Sequence, residues 1–296
     1  MKPIIDPHLH FFALDQGHYQ WLKEGQAPFW SDKHILRHPY HEASLTLSPG
    51  TRLMGFVHIE AGFNNQQPWR EIAWLESSCT LPFKSVAGID LTLEPDAFIE
   101  QIQALLKYQS VAGCRHILDD EAYELLTQQK VKTNLAYLAA QQLSFDLQMS
   151  LRDTPAITLL LAILDDLPSL RVIINHAGWP PLNSDESKTE AVSPWQVWQE
   201  NLFALSQFEQ CAIKCSGWEM ADRQYTKEWQ LKVISACLEA FGGKRVMLAS
   251  NFPLVLFTQA YDDLWNGYLT PNTKISEEQI SALTCENAAY WYKLKV

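Results

Sequence analysis

The sequence predicts a single-domain (β/α)8 TIM barrel of the α/β class. Eight short runs rich in Val, Ile, Leu and Phe recur along the chain, mostly bounded by Gly, Pro or polar residues. That is the pattern of strands buried on both faces. Longer stretches with apolar residues repeating at three and four lie between them, and strand–helix alternation implies a parallel sheet. A set of eight favours closure over an open sheet. A doubly wound open sheet would want a G-x-G-x-x-G turn after the first strand, which this sequence does not have.

The strand runs are Pro3 to Asp6, Met54 to Glu60, Ser85 to Asp90, Val111 to Arg115, Ser144 to Gln148, Arg171 to His176, Cys211 to Ser216 and Arg245 to Asn251. Helical patterning covers Gln67 to Ser78, Asp96 to Tyr108, Lys130 to Gln142 and Pro155 to Leu164. The stretch Pro194 to Phe208 opens on Ser193-Pro194, a cap followed by proline at the first helical position. Thr226 to Phe241 stops at Gly242-Gly243. Ser276 to Tyr292 opens on a capping-box pattern, Ser276-Glu277-Glu278-Gln279. No internal repeat breaks the chain, and 1–296 reads as one domain. Gly25 to Pro49 is irregular and is expected to be an insertion over the barrel mouth. Asn183 to Ser193 is a second irregular stretch.

Composition narrows the function classes. The 296 residues are 47% hydrophobic and 19% charged, enough apolar material to exclude global disorder. With 23 basic against 34 acidic residues the net charge is -11. A basic face that could displace counterions from phosphates is not visible, which argues against nucleic acid or an anionic membrane surface as a partner. No apolar run approaches the roughly 18 residues of a membrane span. The opening MKPIIDPHLHFF has no secretory apolar region, so the expected location is cytoplasmic. A homo-oligomer is compatible with the sequence, but nothing in it specifies an interface. The six cysteines are scattered without a CxxC pair, and they read as reduced, mostly buried residues.

In a barrel of this kind chemistry sits at the C-terminal ends of the strands. The first strand ends Asp6-Pro7-His8-Leu9-His10, so His8 and His10 share a face and suit a divalent metal such as zinc. The second strand ends at Glu60, with His58 expected on the same face. The third ends at Asp90 and the fourth at Arg115. The fifth ends at Gln148 with Asp146 behind it, and the sixth at His176. The seventh carries Lys214 and Ser216, and the eighth ends at Asn251. Inward charges without partners cost several kcal/mol each, so the set reads as one polar site. His8, His10 and His176 are candidate metal ligands. Arg115 offers a planar fork to a carboxylate or oxyanion, Lys214 a second cation, and Gln148 a hydrogen bond to a neutral oxygen. Asp90 and Glu60 are candidate ligand-orienting or proton-accepting groups, with Asp90 preferred as base. Trp179 and Trp218 are candidate pocket walls, with Phe11 and Phe252 as further mouth residues. His34, His38 and His41 read as exposed loop histidines.

These residues resemble a known family. IIDPHLHFF, followed by Tyr19 to Leu22, looks like the opening of the amidohydrolase superfamily, and more narrowly of its amidohydrolase-related, lactonase-like branch. VHIEAG, AGIDL, GCRH, INHAGWP, IKCSG and ASNFP match in order at the later strands, and EEQISALTCENAAYWYKL resembles the closing helix. The resemblance spans nearly the whole chain. It implies hydrolysis of a lactone of the sugar-acid, pyrone or muconolactone type. His8 and His10 would be the metal-binding or substrate-polarising pair, His176 the sixth-strand histidine and Arg115 a substrate-binding group. It also implies a divalent metal, zinc first, although some relatives work without one. Two departures stand out: Gln148 where many members have histidine, and Asn251 where hydrolytic members have aspartate. Asparagine cannot take a proton as a carboxylate does. A decarboxylase of the same superfamily, or a catalytically impaired ligand-binding relative, are the alternatives.

Overall fold

The structure is a computed structural model that describes residues 1–182, 192–271 and 275–296. Eight parallel strands run in sequence order around one sheet: β1 Lys2–Leu9, β2 Thr51–Ile59, β3 Phe83–Gly88, β4 Val111–Arg115, β5 Ser144–Leu147, β6 Val172–Ile174, β7 Cys211–Cys215 and β8 Val246–Leu248. The barrel closes at its C-terminal rim. There Leu9 bridges to Phe252, and the Asn251 amide donates to the His8 carbonyl at 2.8 Å. The expected (β/α)8 barrel is therefore the fold. β1 starts one residue earlier and runs three further than expected, β2 starts three earlier and ends one sooner, and β8 starts one later and ends three sooner.

The outer layer comprises α1 Trp69–Ser78, α2 Pro95–Leu105, α3 Ala122–Thr127, α4 Gln129–Ala140, α5 Thr154–Asp166, α6 Pro194–Ser206, α7 Trp218–Ala221, α8 Lys227–Phe241, α9 Tyr261–Tyr268, α10 Glu277–Ser281 and α11 Asn287–Trp291. The expected caps are present: Ser193 accepts from the Trp195 amide, and Ser276 forms a capping box with Gln279; Thr226 caps α8 as well, accepting from the Trp229 amide. The closing helix is not continuous, because a π-helical turn, Ala282–Glu286, joins α10 to α11. The short helices α3, α7 and α9 were not expected. Of the irregular stretch at 183–193, residues 183–191 lie outside the described residues. Within 25–49, Tyr40 pairs with Phe12 and packs edge-on to Phe252, while Trp30 packs on Phe257.

Outward strand residues such as Phe56, Cys114, Phe145, Ile213 and Leu248 join the helix-facing core, and inward ones such as Ile5, Val57, Val86, Ile173 and Met247 fill the barrel. The closing helix plugs the N-terminal end. The Asn287 side chain donates to the carbonyls of Gly243 and Val246, both at 2.7 Å, and Trp291, Tyr292 and Leu294 pack on the inward residues. All six cysteines are free thiols.

One ion pair lies inside this barrel. Lys214 Nζ donates to Asp146 Oδ2 at 2.6 Å, with both side chains fully buried, and Tyr292 Oη donates to the same oxygen at 2.8 Å. Removing one partner of such a pair leaves an uncompensated buried charge. Asp146→Asn is therefore expected to lower unfolding stability by about 3–5 kcal/mol, read from denaturant midpoints. A change within experimental error would contradict this.

Candidate active site

The strand ends gather a histidine cluster. The His8 ring lies 5.2 Å from His10 and 4.5 Å from His176, centroid to centroid. All three are nearly or fully buried. Burial is the main force holding each imidazole neutral. The positive charges of Arg115 and Lys214 add to it, and His10 is pushed down to about 3.

Neighbours decide where each neutral ring carries its proton. An ammonium has only donors, so Lys214 Nζ, 3.4 Å from His8 Nδ1, makes that nitrogen an acceptor. The His8 proton then sits on Nε2, which is buried without a partner. A carbonyl only accepts, so His10 Nδ1 donates to the Ile59 oxygen at 2.8 Å, leaving Nε2 bare. Adjacent rings thus offer an unpartnered donor on His8 and an unprotonated nitrogen on His10, whose ring the Asn251 side chain adjoins. His176 Nδ1 is 3.1 Å from Ser216 Oγ, which is compatible with either tautomer. Gly217 permits this approach: with φ +70° it sits where an added Cβ would fall 2.4 Å from His176 Nδ1.

A second group surrounds Arg115. Its Nε and Nη2 donate to Glu60 Oε1 at 2.9 and 2.6 Å, Nη2 also to the Glu60 carbonyl, and Nη1 to Gln148 Oε1 at 3.0 Å. Four of the five guanidinium N–H groups are so engaged, leaving one for a ligand. Gln148 Nε2 passes the chain on to Asp119 Oδ2 at 3.2 Å, and Asp119 Oδ1 accepts from Trp179 Nε1 at 3.2 Å. Trp179 stacks on His176 at 4.8 Å, which joins the two groups. A cavity of about 320 Å³ opens at the ends of β2, β3 and β4, lined among others by Glu60, Asn64, Asp90, Arg115 and His116.

Several expected residues fall elsewhere. Val57 and Ile59 face the barrel interior, so His58 points outward, 3.9 Å from Glu71 of α1, and does not share a face with Glu60. Asp90 is 47% exposed at the rim, where it accepts from the Thr92 amide and hydroxyl instead of entering the histidine cluster. Lys214 is fully buried beneath His8 and acts on the site through that ring. Trp218 packs against Trp229 in the helical layer and donates to Tyr268 Oη at 2.6 Å. Phe11 packs on Phe56, on the helix-facing side, and Phe252 packs between Tyr40 and Tyr261. His34, His38 and His41 are exposed.

Two carboxylates in the site region were not anticipated. Asp119 lies in a tight turn with φ +34°. Glu219 is 1% exposed in α7, and its Oε1 accepts from Asn251 Nδ2 at 2.6 Å. Neither falls on a strand, so alternation could not assign it a direction. Left-handed backbone marks the region. Among the described residues, eight non-glycine positions have positive φ, and Asp119, His176, Ala177, Trp179 and Asn251 are five of them. Such conformations cost about 1–3 kcal/mol each and persist where surroundings enforce them.

Histidine nitrogens suit zinc, and His10 and His176 are each oriented through Nδ1, as metal-bound imidazoles commonly are. His8, however, presents a protonated Nε2 in this arrangement. Among the described residues no group of three or more His, Cys, Asp or Glu is placed to hold a metal ion. The set as it stands does not fit the ion. No described helix is long and apolar enough to cross a membrane.

Comparison with known proteins agrees with this architecture. The chain is 28% identical to the uncharacterized protein y4mH of Sinorhizobium fredii, covering 98% of both chains. It is 24% identical to an L-fucono-1,5-lactonase of Burkholderia multivorans, covering 98% of this chain and 96% of the other. Its fold matches a zinc-bound amidohydrolase structure from Burkholderia multivorans with TM-score 0.77 and 20% identity, covering 99% of both chains. The family model described as amidohydrolase matches residues 5–294, and the chain belongs to that family.

Proposed function

We propose that the protein hydrolyses a lactone, of the sugar-acid, pyrone or muconolactone type, or a related cyclic ester. The observation that carries this reading is the pair of buried neutral imidazoles, protonated at Nε2 in His8 and unprotonated there in His10, beside the Arg115 fork. The His8 Nε2–H is suited to donate to the lactone carbonyl as it gains negative charge. Donors fixed before the reaction, in a buried site, are worth more than in solution. The remaining Arg115 N–H adds a second stabilising contact or holds a substrate carboxylate. The bare His10 Nε2 can accept a hydrogen bond from the attacking water. Burial makes that ring a weak base, so its part is to orient the water. His176 is held between Ser216 and Trp179 and closes the third side. The lactonase among the relatives supports the substrate class.

The zinc on one relative is the reason to consider a divalent metal here. His8, His10 and His176 are the residues that would have to hold it, after His8 gives up its Nε2 proton. A metal would supply Lewis-acid polarisation of the carbonyl.

The reading is tested by offering purified protein a panel of sugar-acid, pyrone and muconolactone-type lactones and following acid release. One proton per lactone opened is expected, and no turnover across the panel overturns the proposal. His176→Ala is expected to lose at least about a hundredfold in kcat/KM, and near-normal turnover in a folded variant would remove His176 from the site. Elemental analysis of protein never exposed to chelator tests the metal. In the arrangement described, less than about one-tenth of an equivalent is expected and chelation leaves the rate unchanged. About one equivalent, lost in His8→Ala, would show that the His8 proton is displaced.

A further inference from the structure

No strand-end group of the site just described is free to take a proton, and the Asp119 carboxylate is engaged by Gln148 and Trp179. His10 orients water without holding its proton, Glu60 is tied to Arg115, and Asp90 lies at the rim. The eighth strand ends in Asn251, an amide. Glu219 is the buried carboxylate in contact with that amide. Its Oε1 takes one Asn251 Nδ2 hydrogen at 2.6 Å, and its Oε2 is buried with no hydrogen-bond partner. A carboxylate only accepts, so the contact turns the amide nitrogen of Asn251 to Glu219 and its oxygen the other way. The Asn251 side chain also lies against His10. Glu219, Asn251 and His10 thus form one file from the helical layer to the histidine cluster. Position 219 reaches this place because the backbone turns at Gly217, φ +70°, immediately after β7.

We infer that Glu219 is the general base of the reaction, supplying from the turn after β7 the carboxylate that β8 lacks. The inference rests on the lactonase reading above. In the first step a water O–H bond breaks and its proton goes to Glu219 Oε2. The water oxygen bonds to the lactone carbonyl carbon, and the carbonyl π pair moves onto oxygen, facing the His8 Nε2–H. In the second step the carbonyl re-forms and the bond from the acyl carbon to the ring oxygen breaks. Glu219 returns its proton to that departing oxygen. The products are one hydroxyl and one carboxyl group, and the base ends as it began.

The surroundings suit a base working near neutrality. Burial pushes the Glu219 carboxyl up to about 7, opposed first by the Asn251 hydrogen bond. The charged and titratable groups facing it are Arg223, which donates to the Glu219 carbonyl and pairs with Asp32, and the phenols of Tyr225 and Tyr268. Burial raises both phenols above their ordinary range, so they stay neutral where Glu219 titrates. A base must be ionised to act, so kcat/KM is expected to rise with pH and level off above about 7.

The experiment compares wild type, Glu219→Gln, Glu219→Asp and the double variant Glu219→Gln/Asn251→Asp on a lactone that wild type opens. Thermal melts serve as the folding control. Glu219→Gln is expected to lose at least about a hundredfold in kcat with KM changed only a few-fold, and to lose the rising pH limb. The double variant, with its acid moved to β8, is expected to regain at least about tenfold and to recover a pH limb. Near wild-type rate with an unchanged limb in Glu219→Gln overturns the assignment while leaving the lactonase reading intact. So does a loss of rate with no change in pH profile and no recovery in the double variant, because that is the signature of a structural role. If Glu219→Gln does not fold, Glu219→Asp and wild type decide: both keep the limb if Glu219 is the base, and a flat wild-type profile between about pH 6 and about pH 8 overturns it. Absence of wild-type turnover on every lactone overturns both readings.

Discussion

Lys214 and Asp146 form an ion pair with no exposure to water, at the centre of the barrel. A pair so placed must be held by further polar contacts, or its desolvation exceeds its attraction. Two other parts of the molecule supply them. From the N-terminal end comes Tyr292, whose hydroxyl donates to Asp146 and whose ring lies 5.0 Å under the ammonium. From the mouth comes His8, which takes a hydrogen bond from the same ammonium. The plug that closes the barrel and the imidazole that opens the candidate site are therefore bound to one charge. This contact fixes the His8 proton on its outward edge, so core electrostatics set the chemistry offered at the mouth.

A backbone constraint completes the site. His176, Ala177, Trp179, Asn251 and Asp119 all adopt left-handed conformations. Each turns the chain sharply at or just past a strand end, where an ordinary extended residue would carry its side chain onward into a loop. Compensation comes from hydrogen bonds such as Asn251 N–H to the His8 carbonyl and Trp179 Nε1–H to Asp119. Strain and pairing together bring Glu60, Arg115, Gln148, Asp119, Trp179 and His176 into one chain of contacts. Rate would then depend on groups that do not themselves touch substrate.

The barrel was legible because its determinants are local and repeated: buried apolar runs, caps at Ser193, Thr226 and Ser276, and a glycine stop at Gly242. Strand alternation also located His8, His10, Arg115, Gln148 and His176, whose side chains come together in the structure. It misdirected where a strand ends or slips. Glu60 lies one residue beyond β2, so counting back two does not give its face, and His58 points into the helical layer. Asp90 lies two residues beyond β3 and is free to cap its own turn. Trp218 begins a helix that carries it outward. Asp119 and Glu219 are acids in short helical segments just past a strand end, where position depends on backbone angles that no periodicity encodes. The asparagine at 251 was the one local sign that a carboxylate had to be sought elsewhere.

Lactone hydrolysis of the proposed kind delivers water to the acyl carbon of a cyclic ester. Single turnover in water enriched in oxygen-18, followed by mass spectrometry of the opened product, tests it most directly. Attack at the acyl carbon places one heavy oxygen per product in the new carboxyl group and none in the released hydroxyl. Heavy oxygen in the hydroxyl would mean attack at the alkyl carbon. Product formed with loss of carbon dioxide and no label would mean decarboxylation, and either result contradicts the account.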